Sequence, residues 1–196
     1  DIKCRSWNAG SPLSPRRASL GAEAVGNDIF LFGGYSEFDC SQDEEGLTSS
    51  SYLDTCQSYD VSKNVWKELT PMPTARCNMA TAIYEQEIFV VGAFEAFNVV
   101  SKTWRTLPPM VTPRTGLSVC FYGQQLWTFG GRADNSTLFI IEVFDLVSNS
   151  WKAPDISMPC SRKGARHLPA LFTNHRVVPL RQRADEAVSI RELRRL

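Results

Sequence analysis

An all-β fold assembled from repeated four-stranded units is what this chain predicts, on three observations. Arginine follows tryptophan by ten residues three times, at Trp7 and Arg17, Trp66 and Arg76, and Trp104 and Arg114. A fourth pair, Trp151 and Arg162, is longer by one residue. Between these marks an apolar run ending in glycine comes first, and an aromatic residue followed by Asp or Asn comes second. Before residue 160 the patterning has period two and calls for no helix. Self-similarity over tens of residues is the mark of a repeat architecture, in which each unit buries its faces only against its neighbours.

The elements follow in order. In the first full unit, strand A is expected near residues 19–25, and Gly26-Asn27-Asp28 supplies the turn. Strand B is Ile29-Phe30-Leu31-Phe32, closed by Gly33-Gly34. Strand C lies near residues 53–59 and ends at Tyr59-Asp60, and strand D lies near residues 65–69 around Trp66. The second unit repeats this at residues 79–84, 88–91, 94–98 and 103–107, the third at 117–121, 126–129, 140–144 and 150–152. Residues 2–7 read as the last strand of a preceding unit, so the chain is taken as a piece of a longer protein.

Each recurring residue type has a physical reason. Glycine after strand B accepts backbone angles closed to other residues and lets a neighbour approach the main chain. Tryptophan in strand D offers a large apolar face between units while its indole N–H reaches a partner at the rim. Aspartate after strand C accepts hydrogen bonds from nearby amides and opens the C–D turn. The second unit departs from the pattern: Ala93 replaces the second glycine, and only Gly92-Ala93 separates Val91 from Phe94. A two-residue hairpin is one reading, and a segment removed by splicing or gene prediction is the other.

The quoted runs resemble the Kelch motif of β-propellers, in which a repeat of about 50 residues makes one blade. The resemblance covers residues 2–160 and implies an incomplete Kelch-type propeller: blades at about 18–70, 77–107 and 115–153, plus one extra strand. In such blades the D–A and B–C loops leave on one face. Arg17, Arg76 and Arg114 fall in D–A connections, while Tyr35 and Arg132 open B–C loops. The resemblance to the Kelch domains of BTB-Kelch adaptors implies that these five side chains, with Thr55, contact a protein client, including acidic peptide motifs. Arginine suits that task because its planar fork pairs with carboxylates. The alternative for each arginine is a framework role, bracing its own loop through carbonyls or an acid.

The resemblance also implies a biological setting. It is substrate recognition for a cullin-type ubiquitin ligase, met through a BTB domain outside these 196 residues, in the cytoplasm. An actin-associated cytoskeletal Kelch protein is the second reading, and a Kelch-like propeller enzyme the third. No catalytic residue, metal or cofactor is expected. His167 and His175 are the only histidines and lie in the tail, so no Ser-His-Asp set forms within the repeats.

Composition bounds the rest. The chain is 43% apolar, enough for one buried core. From Cys160 onward there are nine Arg and Lys against three Asp and Glu, which separates a basic, non-Kelch tail at 161–196, irregular or partly helical. No nucleic-acid or membrane contact is assigned to it. Cys4, Cys40, Cys56, Cys77, Cys120 and Cys160 form no C-x-x-C pair, and free thiols are expected. Their even number and the triplet Asn135-Ser136-Thr137 leave a secreted, disulfide-bonded chain as the alternative. Residues 36–51, rich in Glu and Asp, read as a solvated loop.

Overall fold

Alternating apolar residues give each strand one face for each neighbour, and the computed structural model places them accordingly. It describes residues 7, 9–37, 50–134, 136–156 and 158. All of the extra strand at 2–7 but Trp7, residues 38–49 of the acidic loop at 36–51, Arg162 and the basic tail lie outside the described residues.

In chain order the strands are β1 (Gly21–Val25), β2 (Asp28–Phe32), β3 (Tyr35–Glu37), β4 (Ser50–Tyr52), β5 (Cys56–Asp60) and β6 (Val65–Leu69). Then come β7 (Ala80–Tyr84), β8 (Glu87–Val91), β9 (Glu95–Asn98) and β10 (Thr103–Thr106). The last are β11 (Ser118–Tyr122), β12 (Gln125–Phe129), β13 (Arg132–Ala133), β14 (Ser136–Thr137), β15 (Ile141–Asp145) and β16 (Ser150–Lys152). Three antiparallel four-stranded sheets result, β1-β2-β5-β6, β7-β8-β9-β10 and β11-β12-β15-β16. They are blades 1, 2 and 3 of an incomplete β-propeller, and no helix occurs among the described residues. Two short hairpins, β3–β4 and β13–β14, stand in the B–C loops of blades 1 and 3. The sequence reading had treated both stretches as loop.

Blades meet through aromatic rings. Phe30 and Phe32 of blade 1 pack against Phe97 and Trp104 of blade 2, with Phe32 edge-on to Trp104 at 5.6 Å. Phe89 and Phe94 of blade 2 meet Phe121, Phe144 and Trp151 of blade 3 in the same way. Each strand-D indole N–H donates to a carbonyl in the connection that leads into its blade: Trp66 to Ser11 (3.0 Å), Trp104 to Thr70 (2.9 Å), Trp151 to Pro108 (2.8 Å).

A second tie runs where the chain enters each strand A. Ser19, Asn78 and Gly116 hold equivalent places, all at positive φ (53°, 51° and 62°). Asn78 N–H donates to Ser19 C=O and Gly116 N–H to Asn78 C=O, both at 3.0 Å. This main-chain belt joins the three blades next to their innermost strands.

The turns repeat as well. In every C–D turn an Asp or Asn oxygen accepts two main-chain N–H groups: Asp60 from Ser62 and Lys63, Asn98 from Val100 and Ser101, Asp145 from Val147 and Ser148. The A–B turns place Gly26, Glu85 and Gly123 at φ of 61°, 53° and 59°. Blade 2 differs from the two-residue hairpin reading of its B–C connection. Pairing ends at Val90 and Glu95, so the turn is wider than two residues and Phe94 belongs to it at φ 50°. The burial of the Phe94 ring against Phe144 and Trp151 offsets that unfavourable backbone angle.

Glu85→Gly is expected to raise stability by about 1 kcal/mol, because only this A–B turn holds a side chain in the left-handed region. A urea midpoint that fails to rise would contradict it. Ser62 and Lys63 donate to Asp60 and hold its carboxyl well below the usual carboxylate range. A depressed folded pKa stabilises the fold above the unfolded value of about 3.9, and the contribution disappears as pH falls through the folded value. The stability gap between the native chain and Asp60→Asn should therefore be full at neutral pH and shrink in acid. A gap independent of pH would place the turn's stabilisation elsewhere.

Candidate partner-binding face

Antiparallel order sends the D–A and B–C connections to the same end of each blade, and main-chain bridges lock them together there. Ala18 exchanges two hydrogen bonds with Tyr35 at 2.9 Å, and Thr115 exchanges two with Arg132 at 3.0 and 2.8 Å. Arg17 and Arg114 each sit one residue before such a bridge.

The three D–A arginines all turn toward strand C of their own blade. Arg17, half-buried, donates to Gly33 C=O (3.3 Å), Thr55 C=O (3.2 Å) and Gln57 Oε1 (2.9 Å). Arg76, 7% exposed, donates to Thr74 C=O (3.0 Å) and pairs closely with Glu95. Arg114, 3% exposed, donates to Thr128 Oγ1 (2.6 Å) and lies 3.2 Å from Glu142 Oε2. Burial pulls the pKa of all three downward, that of Arg76 to about 10, while Glu142 opposes the shift at Arg114. The acid partners are themselves held: Glu95 accepts from Thr74 Oγ1 (3.1 Å) and Glu142 from Thr112 N–H (3.0 Å).

Gln57, Glu95 and Glu142 were not singled out in the sequence, although each stands three residues before the Asp or Asn of its C–D turn. That register was available in the repeat. Its meaning appears only when the D–A connection folds over strand C and sets guanidinium against carboxylate or amide. Arg76 and Arg114 therefore lie beneath the face, each braced against an acid, and Arg17 lies partly at its surface.

The remaining sequence candidates separate in the same manner. Arg132 is exposed, its Nε donating to Asp134 C=O at 3.0 Å. Tyr35 is half-buried on β3 and pairs in register with Tyr52, which is 64% exposed. Thr55 accepts through its carbonyl, whereas its hydroxyl is buried without a hydrogen-bond partner among the described residues. A cavity of about 400 Å³ opens on this face between Gly92, Pro113, Arg114, Thr115 and Arg132. No group of three or more His, Cys, Asp or Glu gathers as a metal site among the described residues. Cys56, Cys77 and Cys120 are free, and burial pushes the Cys56 thiol up to about 12.

The Kelch motif family model matches residues 16–73 and 113–153, half of the chain. The interval it passes over is blade 2, the blade with the shortened B–C connection. Human Kelch-like protein 4 is 31% identical over 83 residues, covering 42% of this chain and 10% of its own length. Beta-scruin of Limulus polyphemus is 33% identical over 88 residues, 44% of this chain and 9% of the relative. Human Kelch repeat and BTB domain-containing protein 12 is 28% identical over 88 residues, 44% and 14% respectively. The matched stretch thus spans about a tenth of the length of these relatives. The chain belongs to the Kelch-repeat family, whose repeats build scaffolds for protein interaction.

Breaking the arginine–acid contact of blade 2 is expected to cost more than breaking the arginine–amide contact of blade 1. Glu95→Ala leaves a buried guanidinium unpaired, at about 3–5 kcal/mol. Gln57→Ala removes the hydrogen bonds of a buried but uncharged side chain to Arg17 and Glu68 and leaves the half-buried Arg17 its carbonyl acceptors, at about 1.5–3 kcal/mol. Denaturant unfolding of the two variants measures the difference, and equal losses would deny the arginine–acid contacts their structural weight.

Proposed function

From membership in the Kelch-repeat family, we propose that this chain recognises a protein client through the face formed by its D–A and B–C connections. The client's chemistry is an acidic peptide motif, met by Arg132, Arg17 and Tyr35. The observation that carries this reading is the rigidity of that face: the connections are pinned to one another by main-chain bridges and to strand C by the arginines. Such anchoring presents loop side chains in fixed positions, which lowers the entropy lost on binding. Arg76 and Arg114 contribute from below, as a source of positive field and as braces, and Thr55 helps hold Arg17.

The finer reading is substrate recognition within a BTB-Kelch adaptor of a cullin-type ubiquitin ligase, in the cytoplasm. Its support is the resemblance to relatives named for Kelch and BTB domains, together with three free thiols. The cullin would be met through a BTB domain, and the propeller face supplies binding alone, without catalysis.

The test is affinity capture with the full-length protein beside a double variant, Tyr35→Ala with Arg132→Ala, chosen because both side chains reach solvent and neither braces a buried acid. Client capture should fall at least about tenfold, in line with the loss of exposed aromatic and arginine anchors, while the thermal transition stays in place. Unchanged capture by the folded variant would move recognition to the opposite loops.

A further inference from the structure

Among the described residues, main-chain hydrogen bonding on this face closes one blade junction and leaves the next open. Between blades 1 and 2, Gly34 N–H donates to Arg76 C=O (2.9 Å) and Arg76 N–H donates to Leu53 C=O (3.1 Å). Leu53 N–H in turn donates to Gly34 C=O (2.9 Å), which fixes the returning arm of the B–C loop. Blade 3 fixes the returning arm of its B–C loop likewise, with Leu138 N–H donating to Gly131 C=O at 2.9 Å. Blade 2 has no residue in that place, because its B–C connection passes from Val91 to Glu95 within one turn.

Two residues are left without the partners that their counterparts have. Arg114 holds the place of Arg76, yet neither its main-chain N–H nor its C=O makes a hydrogen bond among the described residues. Its Nε is also buried without one. Cys77 holds the place of Ala18 and Thr115, and among the described residues it makes no two-bond bridge like theirs. Arg114 is 3% exposed, so main-chain groups left unpaired there are costly. The 400 Å³ cavity opens beside it, walled by Gly92, Pro113, Thr115, Arg132 and Ala133.

We infer that this notch is a docking cleft for an extended peptide segment of the client, lying where the B–C loop of blade 2 would run. The segment presents a main-chain acceptor to Arg114 N–H and a donor to Arg114 C=O, as Leu53 and Gly34 do for Arg76. A carboxylate suits its side chain nearest Arg132, which is exposed on the cleft wall, while the Arg114 guanidinium is already matched by Glu142. The inference rests on the interaction-module reading and specifies where on the face the client inserts.

The test uses the complete 196-residue chain and a synthetic peptide, acetyl-Ser-Tyr-Leu-Asp-Thr-amide, which copies residues 51–55 and carries both the leucine carbonyl and one aspartate. Amide exchange is followed residue by residue. In the free chain Arg114 should exchange faster than Arg76, and at nine-tenths occupancy by peptide its exchange should slow about tenfold. Asn78, already bonded to Ser19, should not change. Protection of Arg114 equal to that of Arg76 in the free chain, or no slowing at millimolar peptide, overturns the inference. A second variant replaces Gly92-Ala93 with residues 131–140, which refills the notch; it should lose the peptide. Equal capture of client by native and refilled chains would remove the notch from recognition while leaving the interaction-module reading intact. Should the refilled chain fail to fold, the exchange measurement on the native chain decides alone.

Discussion

Trp104 and Trp151 each reach across a blade boundary, placing a ring against the strand-B and turn aromatics of the blade before and an indole N–H on a carbonyl in the connecting chain. A four-stranded sheet has two apolar faces and cannot bury either alone. Stacking blade on blade solves this, and the tryptophan combines the two requirements of that contact, apolar area and a satisfied polar group at its edge. Everything else in the molecule depends on this contact, because the direction of each connection is set by how its blade sits on the next. The main-chain belt through Ser19, Asn78 and Gly116 repeats the tie at the inner strands, so adjacent blades are joined at both their inner and outer margins.

The D–A arginines work within this frame. Burying a guanidinium is expensive unless its charge is met, and blades 2 and 3 meet it with a glutamate from strand C. Blade 1 substitutes the neutral Gln57 and leaves Arg17 partly in solvent, with carbonyls of Gly33 and Thr55 as further acceptors. The same repeated residue therefore divides its roles by depth: two arginines brace the connections, and one also presents charge at the surface. Arg132, which opens a B–C loop and has no counterpart in the strand framework, lies outermost of them.

Blade 2 illustrates how far a loop can be shortened before the core responds. Its four strands and both its interfaces persist, because the shortened connection lies at the end of strands whose register is set by Ala80 to Tyr84 on one side and by Glu95 to Asn98 on the other. The consequence falls instead on hydrogen bonding at the face, at Arg114 and Cys77, and on Phe94, which accepts a positive φ to reach the core. Shortening a B–C loop thus changes what the face offers a partner and leaves the propeller framework in place.

The strands and their order were legible in the sequence, since period-two patterning, turn residues and the Trp and Gly repeats are local signals that report on one blade at a time. The C–D turn role of Asp60 was legible for the same reason, and the structure repeats it at Asn98 and Asp145. The hairpins β3–β4 and β13–β14 were not, because residues such as Ser50–Tyr52 and Arg132–Ala133 carry no alternation of their own and pair only once the loop is anchored at both ends. Nor could spacing reveal whether a D–A arginine points outward or inward. That depends on an acid or amide distant in the chain, at Gln57, Glu95 or Glu142, and on the burial that comes with it. The sequence by itself determined an all-β Kelch repeat, its blades and the face that carries its arginines. Tertiary structure decided which of those arginines reach solvent, because side-chain depth is set by contacts between segments that only folding brings together.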